Sequence, residues 1–195
     1  MRILWIDTET TGLDYDRNGI FEFACIFTEK VVGSNARPVY CERDFFLNPL
    51  SEGLEYSEEA AKIHGITRED MEKFPAEKDA VERIVAFLED AEKFGSGGKM
   101  IFCGYNSTFD WNMTEKMLGR HGYRMDDYFD KRADVFEQVK SAGRLKVIPY
   151  LENRRLTTLC KHFKIDLENA HTALADIRAT RELARVLQKS GVNLI

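Results

Sequence analysis

Apolar residues fall first in strand-sized runs and only later at helical spacing. Arg2 to Asp7 is an apolar run ending in polar residues, Ile20 to Thr28 is a longer one and Val39 to Leu47 a third. Three strands are predicted, with an Asn18-Gly19 hairpin turn between the first two. Helical periodicity then takes over. Ser57 opens a short segment, Thr67-x-x-Asp70 has the form of a capping box, and Ala80, Val81, Ile84, Val85, Phe87, Leu88 and Ala91 form one apolar stripe before Gly95, Gly97 and Gly98. Lys99 to Cys103 reads as a fourth strand. Ser107 to Leu118 reads as an amphipathic helix carrying Phe109, Met113 and Met117 on one side. A short strand near Ala133 and helices over Val135 to Ser141, Leu156 to Phe163 and Ala173 to Lys189 complete the pattern. Strands first and mixed elements later predict an α/β fold, a central sheet covered by helices. The lack of a repeat, linker or low-complexity block predicts a single domain over residues 1–195.

Composition narrows the classes. A chain of 195 residues with 44% hydrophobic and 31% charged residues has the balance of a globular domain and not of a disordered one. No stretch approaches the roughly 20 apolar residues of a membrane span, and the opening apolar run is too short for an export signal, so a cytoplasmic protein is expected. Cys25, Cys41, Cys103 and Cys160 form no Cys-x-x-Cys pair and mostly sit in apolar runs, as reduced core thiols do. The net charge of −5 excludes a uniformly basic nucleic-acid-binding surface.

Three constellations could carry chemistry. Asp7-Thr8-Glu9-Thr10-Thr11-Gly12-Leu13 lies where the first strand runs out. Alternation on a strand places Asp7 and Glu9 on one face, Cα atoms about 6.6 Å apart. Two carboxylates that close repel unless a cation lies between them, and hard oxygen ligands suit Mg²⁺ or Mn²⁺. A polar strand end followed by a turn accounts for the same residues, and spacing alone leaves both readings open. The second is Gly104-Tyr105-Asn106-Ser107-Thr108-Phe109-Asp110, where Ser107-x-x-Asp110 predicts a capping box. A carboxylate in the first turn of a helix beside a strand end also lies where ligands of sheet proteins bind, within reach of a metal held by Asp7. The third is His171-Thr172-Ala173-Leu174-Ala175-Asp176. On one continuous helix His171 and Asp176 would stand about 140° apart. With Thr172 as N-cap, Asp176 projects from the first turns and His171 stands on the loop before them, where a plain surface histidine accounts for it equally. Two decoys fail. Asp14-x-Asp16-x-Asn18-Gly19 starts like a calcium loop but places Cys25 where a bidentate Glu is required, and Cys160-x-His162 lacks partners at zinc spacing.

In this order, the three constellations resemble the motif set of the DEDDh, or DnaQ-like, 3′-to-5′ exonuclease family. The resemblance rests on Asp-x-Glu-Thr-Thr-Gly-Leu, Asn-x-x-Phe-Asp and His-x-Ala-Leu-x-Asp. Ile63-His64-Gly65-Ile66-Thr67 and Leu156-Thr157-Thr158-Leu159 also look familial, and coverage runs from Arg2 to about Leu187. The resemblance implies a ribonuclease H-like three-layer fold whose five-stranded mixed sheet has its second strand antiparallel. It implies two divalent ions, Mg²⁺ or Mn²⁺: one held by Asp7, Glu9 and Asp176, the second held or oriented by Asp7 and Asp110. His171 is implied as general base, and Thr10, Thr11, Gly12, Leu13, His64, Asn106 and Phe109 as nucleotide contacts.

The implied activity is hydrolysis from the 3′ end of nucleic acid, with DNA favoured, releasing nucleoside 5′-monophosphates. RNA turnover of the exoribonuclease or oligoribonuclease kind is the alternative. A DNA polymerase partner stays open. A non-catalytic nucleic-acid-binding or polymerase-associated module is disfavoured, because a scaffold has no need of clustered repelling carboxylates. The charge is also uneven: from Lys131 to Lys164 nine basic residues stand against three acidic ones, a local +6 within the overall −5. That stretch, including the irregular segment Arg144 to Arg155, either borders the path of the substrate backbone or is an ordinary solvated surface, and charge alone leaves both readings open.

Overall fold

The structure, a computed structural model, describes residues 1–29, 39–167 and 172–194. Its centre is a five-stranded sheet of β1 (Arg2–Thr10), β2 (Ile20–Glu29), β3 (Val39–Phe46), β4 (Met100–Gly104) and β5 (Phe129–Asp134). The strands lie in the order β3-β2-β1-β4-β5. β2 is antiparallel to both neighbours, while β1, β4 and β5 are parallel. The helices are α1 (Glu58–His64), α2 (Arg68–Met71), α3 (Glu77–Lys93), α4 (Thr108–Arg120), α5 (Met125–Tyr128), α6 (Val135–Arg144), α7 (Leu156–Phe163) and α8 (Ala173–Lys189).

Alternation divides β1 between two layers. Leu4 and Ile6 share a core with Ile84 and Leu88 of α3 and Met113 and Met117 of α4. Ile3 and Trp5 share the opposite one with Val139 of α6, Leu159 of α7 and Ile177 and Leu183 of α8. Because helices cover both faces, the central strands read as continuous apolar runs and not as alternating ones. The three-layer arrangement with an antiparallel second strand is therefore the one that the sequence pattern and the resemblance imply.

Local signals set most helix starts. The Ser57 hydroxyl accepts from the Ala60 N–H at the start of α1, Thr67 and Asp70 form a reciprocal capping box on α2, and Thr172 caps α8 through the Ala175 N–H. Three expectations need correction. The Ser107–Asp110 capping box does not form: Ser107 makes no side-chain cap and its hydroxyl donates instead to the Ala133 carbonyl at 3.0 Å. Asn18-Gly19 is not a tight hairpin turn. A longer loop closes through the Thr11 N–H on the Gly19 carbonyl at 2.9 Å, while the Asn18 amide accepts from the Asp14 N–H and donates to the Glu55 carbonyl. Gly19 is required there by close packing, since a Cβ would sit 2.4 Å from Pro49 Cβ. Finally, β1 continues three residues past its expected end, and the short α5 and a 3-10 turn at Pro49–Glu52 have no periodicity long enough to announce them.

β4 supports the site from below through Phe102, which is fully buried and meets Trp111 and Phe129 edge-on at 5.3 Å each. Phe102→Ala is expected to cost about 3–5 kcal/mol, the range for truncating a buried aromatic. Denaturant unfolding measures it, and a loss below about 1 kcal/mol would contradict this packing.

Candidate active site

The site forms where β1 outruns its parallel neighbour. β1 pairs with β4 only from Ile3 to Trp5, opposite Ile101 to Cys103, so the last residues of β1 have no strand on that side. Gly104 turns the chain away beneath this overhang, and a Cβ on it would lie 2.7 Å from the Ile6 carbonyl. The chain then enters α4, whose first turn carries Asp110. The Asp110 Oδ1 accepts the Thr8 N–H at 3.0 Å and the Thr8 hydroxyl at 2.8 Å. In effect, a helix carboxylate takes the hydrogen bond that a longer β4 would have made.

Asp7 and Glu9 alternate with Thr8 and face the layer of α8. There the first turn of α8 brings in Asp176. One carboxylate oxygen from each of Asp7, Glu9 and Asp176 lies within 4.8 Å of the others, and all three residues are partly buried. The donors are all hard oxygens, so the set fits a divalent cation such as Mg²⁺ or Mn²⁺. Among the described residues, no Lys or Arg forms an ion pair with Asp7, Glu9 or Asp110.

Electrostatics record the crowding. Burial, then the charges of Asp110, Asp176 and Glu9, hold the Asp7 carboxyl well above the usual range. Burial and the Glu22 and Asp176 charges push Glu9 up to about 8. Burial raises Asp110 to about 7 against the opposing hydrogen bonds from Thr8.

The predicted nucleotide contacts are placed less uniformly. Leu13 is 82% exposed. Phe109 is half-buried, with its ring 5.6 Å from that of Tyr15. Asn106 is exposed in the left-handed region (φ 59°), its N–H accepted by Asp134 at 2.9 Å. Thr10 and Thr11 turn their hydroxyls inward, to the Gly12 carbonyl at 2.8 Å and the Glu55 carbonyl at 2.6 Å, so both help to build the loop. Gly12 passes so close to Asn18 that a Cβ would lie 2.4 Å from its Oδ1. His64 lies against Phe21 with ring centroids 4.5 Å apart; its Nδ1 accepts the Ile66 N–H, and its Nε2 is buried without a partner. His171 lies outside the described residues.

Three further residues shape the site. Thr8 holds Asp110. Asp134 gathers the N–H groups of Asn106, Ser107 and Phe136 at 2.9 to 3.1 Å, fastening the β4–α4 loop to the end of β5. Glu22, opposite Glu9 in the β1–β2 register, is a further acidic side chain beside the Asp7–Glu9–Asp176 cluster and is only 3% exposed. A lone glutamate inside the apolar run Ile20 to Phe27 was the available signal for it.

Comparison with known proteins agrees with this architecture. The chain matches the RNase_T family model, described as exonuclease, over residues 4–184. It is 27% identical over 190 residues to a PolC-type DNA polymerase III of Lacticaseibacillus paracasei, covering 96% of this chain but 11% of the polymerase. It is also 27% identical over 191 residues to an oligoribonuclease of Xanthomonas oryzae pv. oryzae, covering 97% of this chain and 89% of that one. Among solved structures, E. coli exonuclease I in complex with a dT13 oligonucleotide superposes with a TM-score of 0.77 at 25% identity, over 97% of this chain and 41% of that one. The chain thus spans a small part of the polymerases, well under half of exonuclease I and most of the oligoribonuclease.

A pH-dependent stability follows from the crowded carboxylates. Their folded-state pKa values are raised, so the folded protein holds more protons than the unfolded chain between about pH 4.5 and 8. In chelator, the stability contributed below that window is expected to be lost as pH rises through it. Mn²⁺ at a hundredfold excess over its Kd restores roughly 2.7 kcal/mol, raising Tm by roughly 5–10 °C for a chain of this size. With Mn²⁺ held at that one concentration, set from the Kd at pH 8, the shift should be smaller at pH 5.5, where protons compete for the same oxygens. Differential scanning calorimetry checks this; equal shifts at both pH values would contradict it.

Proposed function

The chain belongs to the RNase_T exonuclease family, and on that basis we propose that it hydrolyses phosphodiester bonds from the 3′ end of nucleic acid, releasing nucleoside 5′-monophosphates. The observation that carries the reading is the convergence of Asp7, Glu9 and Asp176 within 4.8 Å of one another, with Asp110 anchored across β1 by Thr8. Asp7, Glu9 and Asp176 hold one divalent ion, and Asp7 and Asp110 hold or orient a second. When bound, Mg²⁺ or Mn²⁺ at these positions supplies the positive charge that the transferring phosphoryl group and the leaving 3′ oxygen require.

The remaining roles belong to the protein. His171, immediately before the Thr172 cap, takes the proton of the attacking water as a neutral imidazole, so activity rises with pH through its titration. Exposed Leu13 and half-buried Phe109 meet the terminal bases, a sequence-tolerant contact suited to stepwise removal of nucleotides. Asn106 and His64 border the same terminal nucleotide, and the Thr10–Gly12 loop meets it through backbone groups, its hydroxyls being engaged internally.

The strand then runs past the basic segment between α6 and α7. Lys146, Tyr150 and Arg154 line a cavity of about 540 Å³ there, and Tyr150 is 97% exposed. The Tyr105 hydroxyl, one residue beyond β4, donates to the Arg154 carbonyl and ties this segment to the active-site loop. Residues 1–195 act as one exonuclease unit, and the four free thiols, three of them buried, fit a reducing cytoplasm. DNA is the favoured substrate, and a DNA polymerase acting in trans is the counterpart of the PolC-type relatives, which carry the matching segment within one long chain. One observation favours a second reading, oligoribonuclease-like RNA turnover: the chain spans 89% of that relative.

The test uses single-stranded DNA and RNA labelled at either end, with Mg²⁺, Mn²⁺ or chelator. Metal-dependent release of mononucleotides from the 3′ end is expected, abolished in Asp7→Ala and Asp176→Ala with folding retained. Endonucleolytic ladders or metal-independent cleavage would refute the assignment, and the DNA-to-RNA rate ratio decides between the two substrates. Charge reversal at both Arg154 and Arg155 is expected to weaken oligonucleotide binding and flatten its salt dependence, with a slope reduced by about 0.7 per lost phosphate contact. An unchanged slope in fluorescence anisotropy titrations would remove this segment from the substrate path.

A further inference from the structure

Glu22 occupies a costly position. It is 3% exposed, it faces Glu9 directly across the β1–β2 pair, and no Lys or Arg among the described residues forms an ion pair with it. Like charges paired across two strands destabilise a sheet, and an apolar residue buried there would be more stable than an uncompensated carboxylate. What the carboxylate does have is the first turn of α8. Its Oε1 accepts the Leu174 N–H at 3.4 Å.

An account of the N-terminal donors of α8 shows what this contact does. A helix leaves its first four N–H groups without internal partners. In α8 the internal ladder starts with the Asp176 N–H on the Thr172 carbonyl at 3.0 Å; of the donors before it, the Ala175 N–H goes to the Thr172 hydroxyl at 3.4 Å. The Leu174 N–H, one residue before Ala175, turns to Glu22. Thr172 therefore caps the helix from within its own chain segment, whereas Glu22 fastens the helix end to the sheet. Asp176 leaves the helix two residues after Leu174, toward Asp7 and Glu9. One turn along the same face, Arg178 reaches Glu42 of β3, with Nε to Oε2 at 3.1 Å, but that pair is solvent-facing and contributes little.

We propose that Glu22 is a positioning residue that anchors the first turn of α8 to β2 and thereby sets Asp176 where it completes a divalent-cation site with Asp7 and Glu9. The inference rests on the metal-binding reading above. Glu22 touches neither substrate nor reacting atoms; it acts through the backbone of α8. Supporting groups of this kind orient ligands, and their loss usually costs 10–100-fold in metal affinity.

The experiment titrates Mn²⁺ into the full chain, following free Mn²⁺ by electron paramagnetic resonance, for the wild type, Glu22→Met, Glu22→Gln and Asp7→Asn. Glu22→Met fills the same volume without an acceptor, so Tm in chelator is expected to hold or rise while Mn²⁺ affinity falls 10–100-fold. Glu22→Gln keeps a carbonyl acceptor for Leu174 and is expected to bind Mn²⁺ within about threefold of wild type, well inside that range. Wild-type affinity in Glu22→Met, or equal loss in both Glu22 variants, overturns the anchoring role. Asp7→Asn separates the two levels. If it loses Mn²⁺ binding while Glu22→Met does not, only the anchor fails; if it binds like wild type, the metal site and the anchor fall together.

Discussion

The repulsion among carboxylates gathered at the end of β1 is the constraint on which the rest of the structure depends. Asp7, Glu9 and Asp176 converge from a strand and a helix, Asp110 enters from the other layer, and Glu22 lies behind them. Each would be more stable in water. The fold holds them together by using strong backbone geometry in place of countercharges. β1 is buried on both faces by two apolar cores, so its end cannot relax. The Thr8 N–H and hydroxyl hold Asp110, and Glu22 and Thr172 hold α8. Raised carboxyl pKa values are the consequence, and a bound divalent cation is what would relieve the repulsion.

Much of this was legible in the sequence because the relevant signals are local. Alternation alone puts Asp7 and Glu9 on one face, and Thr172 is a recognisable cap that turns Asp176 out of the first turn. α7 and α8 end where periodicity places them, at Leu156–Phe163 and Ala173–Lys189. The errors arise where a distant element competes for a local group. Ser107 and Asp110 have capping-box spacing, yet the Ala133 carbonyl takes one and Thr8 the other. The overhang of β1 past β4, which creates the Asp110 position, depends on the relative lengths of two strands about a hundred residues apart. Thr10 and Thr11 share the motif with Asp7 and Glu9, but the loop to Gly19 and Glu55 uses their hydroxyls. Glu22 stands out as a lone glutamate in an apolar run, but its partner at the start of α8 lies far along the chain and no local pattern names it.

The charge distribution follows the same division of labour. An acidic centre suits cations and a basic segment suits a polyanion, so a net charge of −5 is compatible with the proposed nucleic-acid substrate without a uniformly positive surface. The tie from Tyr105 to Arg154 links the two regions through the loop that also carries Asn106 and Phe109. The polymerase, exonuclease I and oligoribonuclease relatives share this framework at very different chain lengths.

The central claim, that these carboxylates are gathered to hold cations, is tested most directly by anomalous diffraction at the manganese edge from crystals grown with Mn²⁺ and a nucleoside 5′-monophosphate. The account predicts an anomalous peak in direct coordination to carboxylate oxygens of Asp7, Glu9 and Asp176, with a second on the Asp110 side of Asp7. Full-occupancy manganese bound elsewhere, with these four carboxylates left uncoordinated, would contradict it.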